Sequence, residues 1–307
     1  MGKVYRKQTV EGVTVPAIIK NGTYYWHSMA VYEDGTVSCW KKVDLGDVQA
    51  VLDSKWLQFS VPDGQMLSVF ELCCLKIISA KWRFDSKSYL NYIEDTVRSL
   101  DPEMANIYKT TQREHDKWEK YRVGFTADPT PCKLKGKQGN FGYDLLGGNN
   151  AHIFLDNGGE LLLTELYAYN DGTFFVDGLS EEYLSFEEIT RLFNDKTLRT
   201  APENGGTVSF GALGEAEVEV VYKPVSVKQK LAELENKSLR VQNKPSAHER
   251  CIAAYHAYLV DPCDFYKEEL RKAYEAVPEH ERCYLGDMDT QDSDFRRILY
   301  TNDKREV

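Results

Sequence analysis

The sequence predicts an α+β fold: two tandem copies of a β-hairpin, helix, β-hairpin module, joined by a helical connector and followed by a helical carboxyl-terminal region. Three observations predict it. First, Ile18-Ile19-Lys20-Asn21-Gly22 is answered by Phe154-Leu155-Asp156-Asn157-Gly158, 158 less 22 giving an offset of 136 residues. Second, Val31-Tyr32-Glu33-Asp34-Gly35-Thr36-Val37 is answered by Ala168-Tyr169-Asn170-Asp171-Gly172-Thr173-Phe174, at 172 less 35, or 137. Third, Leu45, Val48, Val51 and Leu52 are matched by Phe186, Ile189, Leu192 and Phe193, and then Pro62-Asp63 by Pro202-Glu203. An unbroken order of matched turns, apolar positions and prolines marks a repeated fold, because each feature has its own structural job.

In the first module, residues 1–85, the apolar run Val13 to Ile19 meets Asn21-Gly22, and Tyr24 to Tyr32 meets Glu33-Asp34-Gly35. Asn-Gly and Asp-Gly supply the positive backbone angles of tight turns, so both read as hairpins. Leu45 to Leu52 has helical apolar spacing, and Pro62-Asp63-Gly64 then turns the chain into the strand-rich stretch Leu67 to Ile78. The connector, 86–149, starts with a helix over Ser86 to Leu100, capped by Ser86, with Tyr89, Leu90, Ile93, Val97 and Leu100 on one face. A second, more polar helix over Glu103 to Tyr121 is expected to project, extending roughly 28 Å for about 19 residues. The glycine-rich stretch Gly136 to Asn150 reads as a link.

The second module, 150–224, repeats the pattern: strands over Ala151 to Phe175, a helix over Ser185 to Asn194, a turn at Asn204-Gly205-Gly206, then strands at Val208 to Phe210 and Glu217 to Tyr222. In Glu215-Ala216-Glu217-Val218-Glu219-Val220 the acids alternate with small apolar residues, as in a half-buried strand. The carboxyl-terminal region, 225–307, reads as helices over Val225 to Val241, Ser246 to Leu259 and Phe265 to Val277, with a last short one around Phe295, Ile298, Leu299 and Tyr300.

With 42% hydrophobic residues the chain belongs to the globular class, and 48 acidic against 38 basic residues give a net charge of −10. That charge opposes direct binding to nucleic acid, where affinity comes mainly from cationic groups displacing counterions. No run reaches the length of a membrane span, and Met1 to Lys7 lacks the apolar stretch of a signal peptide. A cytoplasmic location is expected, with its seven cysteines as free thiols.

His-Glu-Arg-Cys occurs twice, at His248 to Cys251 and His280 to Cys283, and two such pairs could build an N2S2 zinc site. The spacing is not that of the usual fingers, and two amphipathic helices with inward cysteines are the favoured reading. Asp287, Asp289, Asp292 and Asp294 depart from the calcium-loop pattern and read as capping the last helix. Gly136-Lys137-Gln138-Gly139-Asn140-Phe141-Gly142 lacks the lysine-serine or lysine-threonine ending of a phosphate loop, and no serine stands in a nucleophile elbow. The aromatic run Tyr24-Tyr25-Trp26 before His27 reads as a packed strand. No catalytic residue, cofactor or metal is expected.

The candidate functional residues are therefore interface residues. Met104, Ile107, Tyr108 and Trp118 lie amid charge on the expected projecting helix, and Cys283, Tyr284 and Phe295 lie in the carboxyl-terminal region. Cys283, between Pro278 and Gly286, is expected on exposed irregular backbone at a self-contact. The duplicated β-rich module, helical connector, acidic balance and Cys283 beside Tyr284-Leu285-Gly286-Asp287-Met288-Asp289 together resemble the phage anti-Gabija protein family. That resemblance implies a non-enzymatic inhibitor that oligomerises around a bacterial defence nuclease complex and keeps DNA from it. The residues themselves point to an acidic interaction protein; the alternative is a small-ligand-binding protein or hydrolase with a pocket between the modules.

Overall fold

In the computed structural model the two copies are built from the same turns. The structure describes residues 10, 12–40, 42–113, 116, 136–139, 142–145, 148–203, 205–222, 224–287 and 289–301. The first copy comprises β1 (Gly12–Asn21), β2 (Thr23–Tyr32), β3 (Thr36–Ser38), β4 (Lys42–Asp44), α1 (Leu45–Asp53), β5 (Leu57–Gln58), β6 (Met66–Val69) and β7 (Cys73–Trp82). After α2 (Ser86–Leu100) comes a small hairpin, β8 (Gly136–Gly139) and β9 (Gly142–Leu145). The second copy comprises β10 (Gly148–Asn157), β11 (Glu160–Tyr169), β12 (Phe174–Val176), α3 (Phe186–Asn194), β13 (Leu198–Arg199), β14 (Gly206–Ser209) and β15 (Gly214–Val220). Four helices follow: α4 (Val227–Val241), α5 (Ala247–Val260), α6 (Asp264–Ala276) and α7 (Ser293–Tyr300).

The correspondence extends to single hydrogen bonds. Asp34 Oδ1 accepts from the Thr36 amide at 2.9 Å and hydroxyl at 2.6 Å, and Asp171 Oδ1 does the same for Thr173 at 3.1 and 2.6 Å. The glycines after these aspartates sit at φ 74° and 82°, in the left-handed region that glycine enters without a Cβ clash. Helix α1 is capped by Asp44 and α3 by Ser185, and each ends at a lysine in left-handed backbone, Lys55 at φ 60° and Lys196 at φ 68°. The amide of Gly64 donates to Ile77 at 2.7 Å, and that of Gly205 to Val218 at 2.9 Å. In each copy the second strand of the long hairpin pairs in parallel with the next strand: Tyr24 opposite Leu67 in one, Leu161 opposite Val208 in the other.

The chain divides into two compact units, one of residues 1–133, 154–164 and 201–223, the other of 134–153, 165–200 and 224–307. Strands β10 and β11 run through both. Within the first unit, β2-β6-β7 and β11-β14-β15 run in matching order and meet where β7 pairs antiparallel with β15, so the two copies share one sheet. The acids Glu215, Glu217 and Glu219 are exposed on β15, and Ala216 and Val218 are buried, as the alternation predicts. Helix α2 covers the core of this unit with Tyr89, Ile93 and Val97, and the Tyr89 hydroxyl donates to the Pro16 carbonyl at 2.9 Å. Its cap is Asp85, in a reciprocal capping box with Ser88, one residue before the serine expected.

Residues 103–111 do not form the expected projecting helix. Met104 takes φ 48°, Tyr108 donates its amide to the Asp34 carbonyl at 2.8 Å, and Thr110 donates its amide to Asp44 at 2.6 Å. The segment is an irregular strap on the first copy; residues 112, 113 and 116 are helical, and the rest of that expected helix lies outside the described residues. Within the glycine-rich stretch expected as a link, β8 and β9 pair antiparallel with Gly139 opposite Gly142, and residues 148–150 open β10. Among the described residues no helix is long and apolar enough to cross a membrane.

Candidate functional site

Helix α4 starts from a Ser226–Gln229 capping box and places Lys230, Glu233 and Lys237 on one face. Lys230 and Glu233 are fully buried. Lys230 Nζ lies 2.7 Å from Glu233 Oε2, Lys237 Nζ 3.6 Å from Oε1, and His280 Nε2 3.2 Å from Oε2. Burial alone pushes the Glu233 carboxyl up, but the His280 hydrogen bond and the two lysine charges outweigh it and hold it at about 2. Glu233, His280 and Glu281 form the one group among the described residues whose ligand atoms all lie within 4.8 Å, yet lysine ammonium groups already balance the carboxylate a cation would need. The arrangement is an ionic latch: it ties α4 to the 3-10 turn Glu279–Tyr284, with Gln229 Nε2 reaching Glu279 Oε2 at 3.4 Å.

The other side of that turn lines a cleft of about 980 Å³ closed by the end of α6 and by α7. Arg282, Arg296 and Arg297 line it together with Tyr274, Tyr300, Ser293, Thr301 and Cys283, and with the carboxylates Glu279 and Asp292. Arg282 is fixed in place: Nε donates to the Val277 carbonyl at 3.0 Å, Nη2 to the Glu275 carbonyl at 3.2 Å, and the guanidinium lies 4.7 Å from the Tyr274 ring centroid. The Tyr274 hydroxyl donates to Asp292 at 2.7 Å, and burial followed by that bond pushes its pKa up to about 12. The Cys283 thiol donates weakly to the His280 carbonyl at 3.5 Å, and burial raises its pKa. Cys251 is buried, and desolvation pushes it to about 12. Neither thiol has the lowered pKa of an activated nucleophile.

The predicted interface residues fare differently. Phe295 is a core residue, 3% exposed, stacked on Tyr274 and 4.6 Å from the Tyr255 ring, because the apolar stripe of α7 closes the carboxyl-terminal core. Met104 and Ile107 pack on the first core, and Ile107 lies against Gly35, so neither projects from a helix. Tyr108 is half-buried in the same strap, and Trp118 lies outside the described residues. Cys283 is half-buried on the 3-10 turn, not on open irregular backbone, whereas Tyr284 beside it is 52% exposed. Cys251 belongs to the helical core and His280 to the ionic latch, so the two His-Glu-Arg-Cys stretches do different jobs and form no shared ligand group among the described residues. Of the aspartates, Asp287 caps the turn at Thr290, Asp292 accepts from Tyr274, and Asp294 pairs with Arg297 at 2.7 Å; none caps α7 through its side chain.

Three features were not legible from spacing. Trp40 takes φ 65° and stands 45% exposed, with ring contacts to Tyr25, His27 and Trp56. In the second copy, buried Glu165 accepts from Asn150 and from the Tyr167 hydroxyl and lies 3.9 Å from His152 Nδ1. Three apolar side chains stand out at the corner between α5 and α6: Leu259 at 49%, Val260 at 87% and Phe265 at 66% exposure.

A domain-of-unknown-function model, DUF7638, matches residues 1–104 and 138–245. The chain belongs to the DUF7638 family. The two matched stretches of DUF7638 each carry one copy of the repeat, as expected of an internally duplicated domain. A second domain of unknown function, DUF7639, matches residues 246–306. The ionic latch thus joins Glu233 of the DUF7638 stretch to His280 of the DUF7639 stretch. No curated protein and no solved structure matches the chain.

Proposed function

We propose that this protein works by contact with other proteins, including a second copy of itself, and not by chemistry on a substrate. The observation that carries the reading is the α5–α6 corner, where Leu259, Val260 and Phe265 expose their side chains within one short stretch. Burying such a side chain contributes about 1.5–3 kcal/mol, and clustered apolar and aromatic anchors dominate the energy of interfaces. Tyr284 and Tyr300, exposed at 52% and 55%, add aromatic surface in the same carboxyl-terminal region. The raised pKa values of Cys251 and Cys283 favour a packing role for these thiols over a nucleophilic one.

The resemblance drawn from the sequence makes the other partner a bacterial defence nuclease complex whose access to DNA the protein blocks. The net charge of −10 suits a role in keeping DNA away. Light scattering on purified protein over a concentration series tests the self-association. The expected result is a mass that rises above 35.2 kDa with concentration. A constant 35.2 kDa, alone and with the target complex, overturns the reading.

A further inference from the structure

We propose that the carboxyl-terminal cleft is a binding site for the phosphoryl group of a small ligand. The inference stands on geometry separate from the α5–α6 corner and holds whether or not the protein self-associates. Three guanidinium groups line one cleft of about 980 Å³ in a chain whose net charge is −10. Two main-chain carbonyls and the Tyr274 ring hold Arg282 in place, so little side-chain freedom remains to be lost on binding. Arg296 has no ion-pair partner among the described residues and is exposed. Arg297 is paired with Asp294, which is not part of the lining.

The two carboxylates of the lining oppose an anion, and both are engaged. Asp292 accepts from the Tyr274 hydroxyl at 2.7 Å, and Glu279 from Gln229 at 3.4 Å. The lining carries three positive and two negative groups, and Asp294, the ion-pair partner of Arg297, makes it three against three, so the attraction for a phosphoryl group centres on Arg296. A guanidinium offers donors in a planar fork that matches phosphate oxygens, and with Arg296 and Arg297 on α7 and Arg282 on the turn such donors line two walls of the cleft. A nucleic acid is disfavoured because the acidic surface outside the cleft repels a polyanion, whereas a small ligand meets only the local arginines. The ionic latch has a second role here. By fixing the 3-10 turn to α4, His280 and Glu233 set the position of the wall that carries Arg282.

The same ligand chemistry has two sources, free phosphate and an organic phosphate ester. Titration calorimetry on the full chain separates them with three probes: inorganic phosphate, a nucleoside 5′-monophosphate and the unphosphorylated nucleoside. Saturable binding of either phosphate probe, none by the nucleoside, and a loss of about tenfold or more in Arg296→Gln are expected, in line with one charge-assisted contact. Tighter binding of the monophosphate assigns the natural ligand to the esters, and equal binding assigns it to free phosphate. Because Arg296 is exposed, its replacement leaves the unfolding midpoint unchanged, so lost binding is not lost folding. No binding of either phosphate probe, or binding unaltered in both Arg296→Gln and Arg297→Gln, overturns the proposal.

Discussion

Glu233 illustrates how much a single residue's setting decides. On sequence alone, Lys230, Glu233 and Lys237 look like the solvated face of an amphipathic helix, and nothing local distinguishes them from Lys228 or Glu235. The structure buries Lys230 and Glu233 and half-buries Lys237: the two lysines balance the carboxylate from its own helix, and His280, from a turn 47 residues away, supplies a further hydrogen bond. Removing one member of a buried ion pair leaves the others uncompensated, so Glu233→Gln should lower unfolding stability by about 3–5 kcal/mol. The pH dependence follows. A carboxyl held at about 2 when folded, against 4.5 ordinarily, contributes stability that is fully present above 4.5 and is lost as pH falls toward 2. His27 adds an earlier stage, since desolvation lowers it from 6.5 to about 4 and its neutral form is favoured in the fold; that contribution is lost between 6.5 and 4. Urea unfolding at a series of pH values should therefore show two acid stages, and the Glu233→Gln variant should show a smaller lower one, since Asp85, Glu188, Asp195, Glu249 and Asp287 are also lowered by their hydrogen bonds.

At the scale of elements, turn chemistry was the most legible signal. Asp34-Gly35 and Asp171-Gly172 could be paired from the sequence because the aspartate, the left-handed glycine and the following threonine are each needed for the same turn. The surroundings of the two glycines differ. A Cβ at Gly35 would lie 3.2 Å from the Ile107 side chain, whereas at Gly172 the nearest group is the Gln242 amide at 3.6 Å. Both Gly→Ala changes strain the backbone, by roughly 1–2 kcal/mol. Gly35→Ala should cost more, because it also pushes the 103–111 strap off the core. Urea midpoints of the two variants check this, and equal midpoints would contradict the strap's packing. In that strap local spacing and structure differ. Met104, Ile107 and Tyr108 have helix-compatible spacing, but the backbone donors of Tyr108 and Thr110 find better partners in Asp34 and Asp44 of the first copy. Tertiary hydrogen bonds overrode local propensity. Phe295 departs from its expected place at an interface for a related reason: the stripe of a short helix shows its partners only once Tyr255 and Tyr274 stand beside it.

On the scale of the whole molecule, duplication gives two copies of one module that have since acquired different side chains. By the offsets of the repeat, Glu165, Tyr167 and His152 stand where the first copy has Ser28, Ala30 and Pro16, so the buried polar cluster belongs to the second copy alone. The repeat was visible in the sequence because turns and core positions recur in order. The cleft was not, because its walls come from α6, α7 and a turn between them, and arginines at 282, 296 and 297 share no period. Neither was the α5–α6 corner, since exposure of Val260 depends on where α6 turns away after Pro262. Self-association is proposed through that corner. Its most direct test is sedimentation equilibrium of the wild type beside a Val260→Glu, Phe265→Ser variant, with circular dichroism to show that both are folded. The wild type is predicted to associate and the variant to sediment as a folded 35.2 kDa monomer. A folded variant that associates as strongly as the wild type would contradict the account.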